Sequence, residues 1–316
     1  MTQKTKILAI VGPTASGKSA LSLEIARRHG GEIISCDSMQ IYKRMDIGTA
    51  KPSAEEQNEV RHHLIDVVEP DIAFSCEDYV SYASRAIEDC VYRGKLPIVC
   101  GGTGLYLDTL LRGGNSAPVA DTADIRARLT ARVGREGAEA LHAELASVDR
   151  ESAEAIHPNN VKRVIRALEI YYSCGIPKSV LDKESQRLEP RYDATVLGLR
   201  YYDREVLYRR IEKRVDLMIE QGLLAETEML MREGVFEKNG TAAQAIGYKE
   251  LLGYLRGEQS FESAVNDLKT ATRRYAKRQI TWFSAKDYVL ALEAMDNNGI
   301  KRFEEIVNNA EKLFSL

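Results

Sequence analysis

Eight consecutive residues, Gly12, Pro13, Thr14, Ala15, Ser16, Gly17, Lys18 and Ser19, fit the pattern G-x-x-x-x-G-K-[ST]. They follow the apolar run KILAIV and precede the helix-like ALSLEIARRHG. A strand before and a helix after is the context in which this pattern holds phosphate. Gly12 and Gly17 let the loop wrap tightly, so that backbone N–H groups and the helix start point at phosphate oxygens. Lys18 adds positive charge and Ser19 a hydroxyl that can ligate Mg²⁺. Alone, the loop reads as a polyphosphate cradle, with ATP binding and phosphoryl transfer as its default use.

Two other strand ends bring reactive groups to the same edge. The run EIISCD stops at Asp37, where ligands bind in open α/β sheets. A carboxylate there can organise Mg²⁺, act as a general base, or cap a helix. The run LPIVCGG ends in glycines that allow close backbone approach, and Thr103 follows with a hydroxyl; a plain turn is the other reading. His62 and His63 are adjacent, so in a strand they face opposite ways and cannot share one metal in the usual manner. They read as a structural or substrate-gating pair. Arg210 and Arg214, four apart, share a helix face, beside a core face of Val206, Ile211, Val215 and Met218. Lys269, Arg273 and Lys277 repeat every four residues, with Arg274 and Arg278 alongside and Tyr275 and Trp282 near. That stripe suits phosphate or RNA, or is a solvated helix face.

The elements that must position these groups follow from periodicity. Short β-branched runs at 6 to 12, 32 to 37, 63 to 68, 96 to 102, 194 to 199 and 287 to 292 alternate with helix-period stretches. They imply a P-loop NTPase-like α/β fold with a doubly wound parallel sheet. From about 118 to about 190 the texture becomes helical and highly charged, which reads as an inserted helical domain. The core is then 1–117 with 191–316, and the insertion 118–190. Helices fill Asp203 to about Lys286, and the last segment, GIKRFEEIVNNAEKLF, reads as an amphipathic helix.

Composition bounds the function class. With 316 residues, 44% hydrophobic and 29% charged, the chain has an ordinary globular balance. A net charge of −3 means that any nucleic acid must be held by local basic patches. Five cysteines without a C-x-x-C pair point to reduced thiols and away from zinc or disulfide frameworks. The opening apolar run is too short for a signal peptide and no run suits a membrane span, so a cytoplasmic protein without membrane contact is expected.

Taken together, the blocks GPTASGKS, ISCDSMQIYKRMDIGTAKP, RHHLIDVVEP, RGKLPIVCGGTGLYL, HPNNVKRVIRALE, LYRRIEKRVDLMIEQGLLAE, QAIGYKEL and TRRYAKRQITWF resemble, in order, the tRNA dimethylallyltransferase (tRNA isopentenyltransferase, or IPP transferase) family. They span about residues 7 to 283. The resemblance implies transfer of a dimethylallyl group from dimethylallyl diphosphate to N6 of the adenosine 3′-adjacent to the anticodon, with Mg²⁺ and release of diphosphate. It makes Asp37 the general base, Arg214 the catalytic arginine, Thr103 an orienting hydroxyl, and Gly12 to Ser19 the diphosphate loop, with Ser19 toward the metal. It assigns contact with the tRNA anticodon stem-loop to Asp37, Ser38, Met39, Gln40, Thr103, Arg126, Lys162, Arg163, Val164, Ile165, Arg166, Gln244, Ala245, Ile246, Gly247, Tyr248 and Lys249. A monomer is implied as well.

Two positions depart from the family pattern. Ser19 replaces the usual threonine and keeps the hydroxyl, and Ser284 stands where arginine is common. Other readings are an adenylate isopentenyltransferase acting on a free nucleotide, a P-loop kinase using ATP, and a non-catalytic RNA-binding module. The long insertion and HPNNVKRVIRALE favour tRNA over a free nucleotide, and the DSMQ and GGTGLY blocks argue against a kinase.

Overall fold

Both faces of the central strand are apolar, and the two faces belong to different cores. In β1 (Lys6–Val11), Ile7, Ala9 and Val11 join one buried cluster while Leu8 and Ile10 join another. Side chains alternate across a strand, so an uninterrupted apolar run requires cover on both sides. The computed structural model describes residues 4–112, 122–187, 189–296 and 299–315. From β1 the chain runs through α1 (Lys18–His29), β2 (Gly31–Cys36), α2 (Ala54–Glu59), β3 (His62–His63), α3 (Cys76–Tyr92), β4 (Leu96–Gly101) and α4 (Gly104–Arg112).

Residues Arg112–Pro190 form a separate compact unit. It contains α5 (Ala123–Glu136), α6 (Ala138–Val148), α7 (Arg150–Ala155), α8 (Val161–Cys174) and α9 (Lys178–Arg187). Leu129, Leu141, Leu145, Val164 and Leu168 make its own small core. The expected start of an insertion near residue 118 lies outside the described residues.

The first unit resumes with β5 (Asp193–Arg200), then α10 (Arg204–Glu220), α11 (Leu223–Arg232), α12 (Val235–Lys238), α13 (Tyr248–Leu255) and α14 (Phe261–Ser284). It ends with β6 (Val289–Glu293), a ribbon of β7 (Met295–Asp296) and β8 (Gly299–Ile300), and α15 (Phe303–Phe314). The sheet order is β3-β2-β4-β1-β5-β6, every pair parallel. From β1 the chain first builds toward β2 and later toward β5, so a ligand crevice opens at the carboxyl end of β1. Among the described residues no helix is long and apolar enough to cross a membrane.

The expected strand over 63 to 68 is shorter. Only His62 and His63 pair with β2, and Val68 makes a single bridge to Tyr42. Leu64 and Asp66 adopt positive φ of 63° and 56°, which turns the chain out of the sheet. Lys51, whose side chain is 4% exposed, holds that turn by donating to the Tyr42 carbonyl and to the Asp46 and Asp66 carboxylates. On α10, Leu207 is buried beside Ile211 and Val215, and Val206 is only half-buried.

Glu32 is a carboxylate inside an otherwise uncharged strand. Arg93 grips both its oxygens, His63 Nε2 lies 2.7 Å from Oε2, and the Cys90 thiol donates to Oε2 at 3.5 Å. Glu32, His63 and Cys90 converge as closely as metal ligands do. However, Arg93 already neutralises the carboxylate, and burial with Glu32 nearby pushes the thiol up to about 12, so it stays protonated. The trio is a closed hydrogen-bond network joining β2, β3 and α3.

Arg93, with His63, holds the Glu32 carboxyl at about 2, against an ordinary 4.5. A depressed carboxyl contributes stability fully above its unfolded value and loses it as pH falls through its folded value. Glu32→Gln is therefore expected to lower the unfolding free energy by about 2–3 kcal/mol near neutral pH. Denaturant titrations of both proteins check this: the gap should be equal at about pH 7 and pH 5 and should narrow by about pH 3.

Candidate active site

Backbone pairing brings the strand ends together. Gly101 lies opposite Val11 on one side and Cys36 on the other. A Cβ on Gly101 would sit 2.0 Å from the Cys36 carbonyl oxygen, so only glycine permits this approach. Thr103 N–H donates to that same carbonyl at 3.1 Å, and Thr103 Oγ1 accepts from Ser38 N–H at 3.1 Å. No helix begins after Asp37. Its Oδ1 instead closes a turn by accepting from Met39 N–H at 2.9 Å. Oδ2 has no partner among the described residues.

The phosphate loop wraps as its glycines allow, with φ of 148° at Gly12 and 97° at Gly17. Ala15 also takes a positive φ, 61°, and neighbouring groups brace that turn: Arg210 Nε donates to the Ala15 carbonyl at 2.8 Å and the Tyr201 hydroxyl to the Ser16 carbonyl at 2.8 Å. Ser16 N–H turns inward to Pro13 O. The amides that open α1 have no partner of their own within a helix and form its positive end.

Arg214 comes from α10, far along the chain, yet lines the same space as Lys18, Ser19 and Asp37. Burial pushes both cations below their ordinary values, and each lies close enough to feel the Asp37 carboxylate, which opposes that shift. Arg214 also works against the Lys18 charge. Two half-buried cations thus share one carboxylate, and the chamber is short of negative charge.

The space has two parts. A wider cleft of about 250 Å³ is walled by Met39, Gly48, Thr49, Met218, Ile246, Leu268 and Thr272. A narrower chamber of about 70 Å³ holds Lys18, Ser19, Gln40 and His62. Thr14, Asp37, Thr49, Arg214 and Tyr275 line both, so the carboxylate and the arginine stand where the two meet. His62 Nδ1 contacts the Val60 carbonyl, while His63 belongs to the Glu32 network on the other face.

The cleft wall at residues 46–50 hangs on one carboxylate. Glu226 of α11 accepts from the backbone N–H of Asp46, Ile47 and Gly48 and from the Tyr248 hydroxyl at 2.6 Å. Gln40 adds bonds from Nε2 to the Thr49 and Ala50 carbonyls, with its own Oε1 held by Ser35.

The residues assigned to RNA fall into two groups. In the helical unit, Lys162 and Arg163 are exposed, and Arg126 and Arg166 both pair with the fully buried Glu169. Val164 and Ile165 are core side chains of that unit, so they can support its surface but not present a side chain to a ligand. In the first unit, Gln244 and Lys249 are exposed and Ala245, Ile246 and Gly247 line the cleft. Tyr248 is wholly buried against Glu226, which makes it a support rather than a contact.

In the basic stripe of α14, Lys269 pairs with Asp216 and Arg273 with Glu212, both from α10. Arg278 lies over the Tyr275 ring and reaches the cleft. Sequence reasoning did not single out Glu226, Lys51 or Gln279. An uncharged glutamine four residues after Tyr275, directly after the cationic stripe, was the available signal for the last.

Residues 40–286 match the family model described as IPP transferase. The tRNA dimethylallyltransferase of Thermoanaerobacter sp. (strain X514) is 46% identical over 97% of this chain and 96% of its own. That of Acetivibrio thermocellus is 50% identical over 88% of each. Among solved structures, the Bacillus halodurans tRNA isopentenylpyrophosphate transferase aligns with a TM-score of 0.71 at 42% identity, covering 99% of this chain and 97% of that one. A eukaryotic dimethylallyltransferase acting on tRNA aligns at 0.77 and 32% identity, over 93% of this chain and 75% of that one.

The Glu226 arrangement makes a prediction about the cleft wall. Glu226→Gln keeps the volume but sets an NH₂ group among backbone donors. It should cost about 1–3 kcal/mol, the value of hydrogen bonds to a charged acceptor. Thermal unfolding measures that cost, and hydrogen exchange should show faster exchange at the amides of Asp46, Ile47 and Gly48.

Proposed function

Because this chain belongs to the IPP transferase family and is a tRNA dimethylallyltransferase, we propose that it moves the dimethylallyl group of dimethylallyl diphosphate onto N6 of the adenosine 3′-adjacent to the anticodon. The observation behind this reading is the meeting of two differently built spaces at Asp37 and Arg214. One is a small cationic chamber suited to a diphosphate, the other a wider cleft suited to a flat base.

The donor's C1–O bond breaks with its electron pair going to the diphosphate, and the N6–C1 bond forms as N6 gives up a proton. Charge growing on the leaving oxygens would be met by the α1 amides, Lys18 and Arg214, groups already in place before the reaction. The adenine amino group is a weak nucleophile, since its lone pair is delocalised into the ring. Asp37, with one oxygen accepting from Met39 N–H and no hydrogen bond to the other among the described residues, would receive the N6 proton. Thr103 Oγ1 accepts from Ser38 N–H and its hydroxyl lies against that of Tyr275, a setting from which it would orient a substrate.

Mg²⁺ fits the donors on hand. Ser19 Oγ at the head of α1, beside Asp37 and Gln40, offers the hard oxygen ligands this ion takes. When bound it would add charge neutralisation at the diphosphate.

A base buried in a stem-loop reaches such a cleft only if it leaves its stack. Gln244, Ala245, Ile246, Gly247 and the Asp37–Gln40 segment would meet it there. Lys162, Arg163, Arg126 and Arg166 would hold the anticodon stem-loop through phosphates and shape. The enzyme would act as a monomer in the cytoplasm.

Incubation with labelled dimethylallyl diphosphate, Mg²⁺ and either unmodified tRNA or AMP should put label in tRNA; label in AMP alone would sink the assignment. Asp37→Ala should reduce kcat by on the order of 10²-fold or more with tRNA affinity changed far less. If tRNA binding collapsed while bound substrate turned over normally, Asp37 would be a recognition residue instead.

A further inference from the structure

Gln279 of α14 is 4% exposed and stands between the two loops that form the narrow chamber. Its Oε1 accepts from Thr14 N–H at 2.8 Å, and its Nε2 donates to the Gly102 carbonyl at 3.0 Å. The amide orientation is fixed by chemistry, because Thr14 presents a donor and Gly102 an acceptor. Gly102 in turn precedes Thr103, which is bonded to the Cys36 carbonyl and to Ser38 N–H on either side of Asp37. A path of hydrogen bonds and one stretch of backbone, Gly102–Thr103, therefore runs from the phosphate loop, through Gln279, to the backbone on either side of Asp37.

We propose that Gln279 is a positioning residue that fixes the spacing between the leaving-group loop and the proton acceptor. The inference rests on the prenyl-transfer reading given above. Bond breaking at the diphosphate and proton removal at N6 occur at opposite ends of one reacting carbon, so their supports must keep a constant separation. A displacement of about 1 Å in such a geometry can cost on the order of 10²-fold in rate. Gln279 has the means to prevent it: it is buried, it uses both ends of its amide, and each end is spent on backbone rather than on a mobile side chain.

Gly102 shows how closely the glutamine is seated. A Cβ there would lie 2.0 Å from Nε2, while the next neighbours stand at 3.2 Å, from the same side chain, and at 3.5 Å, the Gly12 carbonyl. Gly102→Ala therefore strikes Gln279 and meets other atoms only at ordinary contact distance. The glycine is required by the glutamine.

The test is a double-mutant cycle on the full chain, with donor and tRNA saturating. Gln279→Ala should lower kcat by about 10- to 100-fold with both KM values within about threefold of wild type, because the phosphate-binding and cleft-lining groups remain. Gly102→Ala alone should lower kcat similarly, yet cost under about twofold when added to Gln279→Ala. Unchanged kcat in Gln279→Ala, a loss confined to KM, or an equal cost of Gly102→Ala in both backgrounds would each overturn the proposal. Circular dichroism confirms folding. Should Gln279→Ala not fold, Gln279→Glu, which keeps the acceptor for Thr14 but turns an oxygen toward the Gly102 carbonyl, should show the same kcat loss, and full kcat would reject the role. A wild-type protein with no transfer to tRNA would instead remove the functional reading itself.

Discussion

The chamber at the end of β1 is short of negative charge, and much of the molecule is arranged to sustain that condition. Burial holds Lys18 and Arg214 below their ordinary values, and the Asp37 carboxylate opposes that shift. Left free, two cations would separate into solvent, since their hydration is worth more than a shared carboxylate. They stay because one is fixed to the first turn of α1 and the other to the middle of α10, and each helix is packed by its own apolar face. The surplus of positive charge favours an anionic ligand, so on the proposed reading binding and leaving-group stabilisation would follow from one arrangement.

That demand explains the supports around the loop. Arg210 and Tyr201 hold the Ala15 and Ser16 carbonyls from one side and Gln279 holds the Thr14 amide from another. α10 and α14 are joined by a small apolar cluster, Leu207, Ile211 and Ala276, and by the Lys269–Asp216 and Arg273–Glu212 pairs. The ion pairs are partly exposed and contribute little to stability. The apolar cluster is therefore the main constraint on which faces of the two helices meet, with the ion pairs at its edge.

How far the sequence could be read depended on the range of the interaction. The phosphate loop is a local object, specified by eight neighbouring residues between a strand and a helix, and Asp37 and Thr103 were visible because each ends an apolar run. The sheet was legible for the same reason. What periodicity reports is a face, not its partner. It marked Lys269 and Arg273 as a stripe without showing that α10 supplies their acids. It could not show that Gln279 reaches a loop 265 positions away. The apolar run after His63 misled because Leu64 and Asp66 adopt positive φ, and Asp66 is tied there by Lys51, which precedes the run by more than ten residues.

The same loop can serve phosphoryl transfer, so the fold alone does not determine what is moved. The deciding feature is what faces the loop across the chamber. A kinase must present an acceptor to phosphorus and so needs polar room beyond the loop amides. Here the leading amides are occupied by protein: Thr14 N–H by Gln279 and Ser16 N–H by Pro13. The groups left for a ligand lie at the helix start, with Lys18 and Arg214, while the adjoining cleft is walled by Met39, Met218, Ile246 and Leu268. A phosphate set against those apolar side chains would lose hydration that only the cleft's polar side, with Arg214 and Arg278, could replace, whereas a five-carbon allylic group loses only unfavourable contact with water. On the proposed reading, the boundary between chamber and cleft would also separate the two halves of a prenyl diphosphate, with the base entering the same cleft and the bond to be broken lying near Asp37.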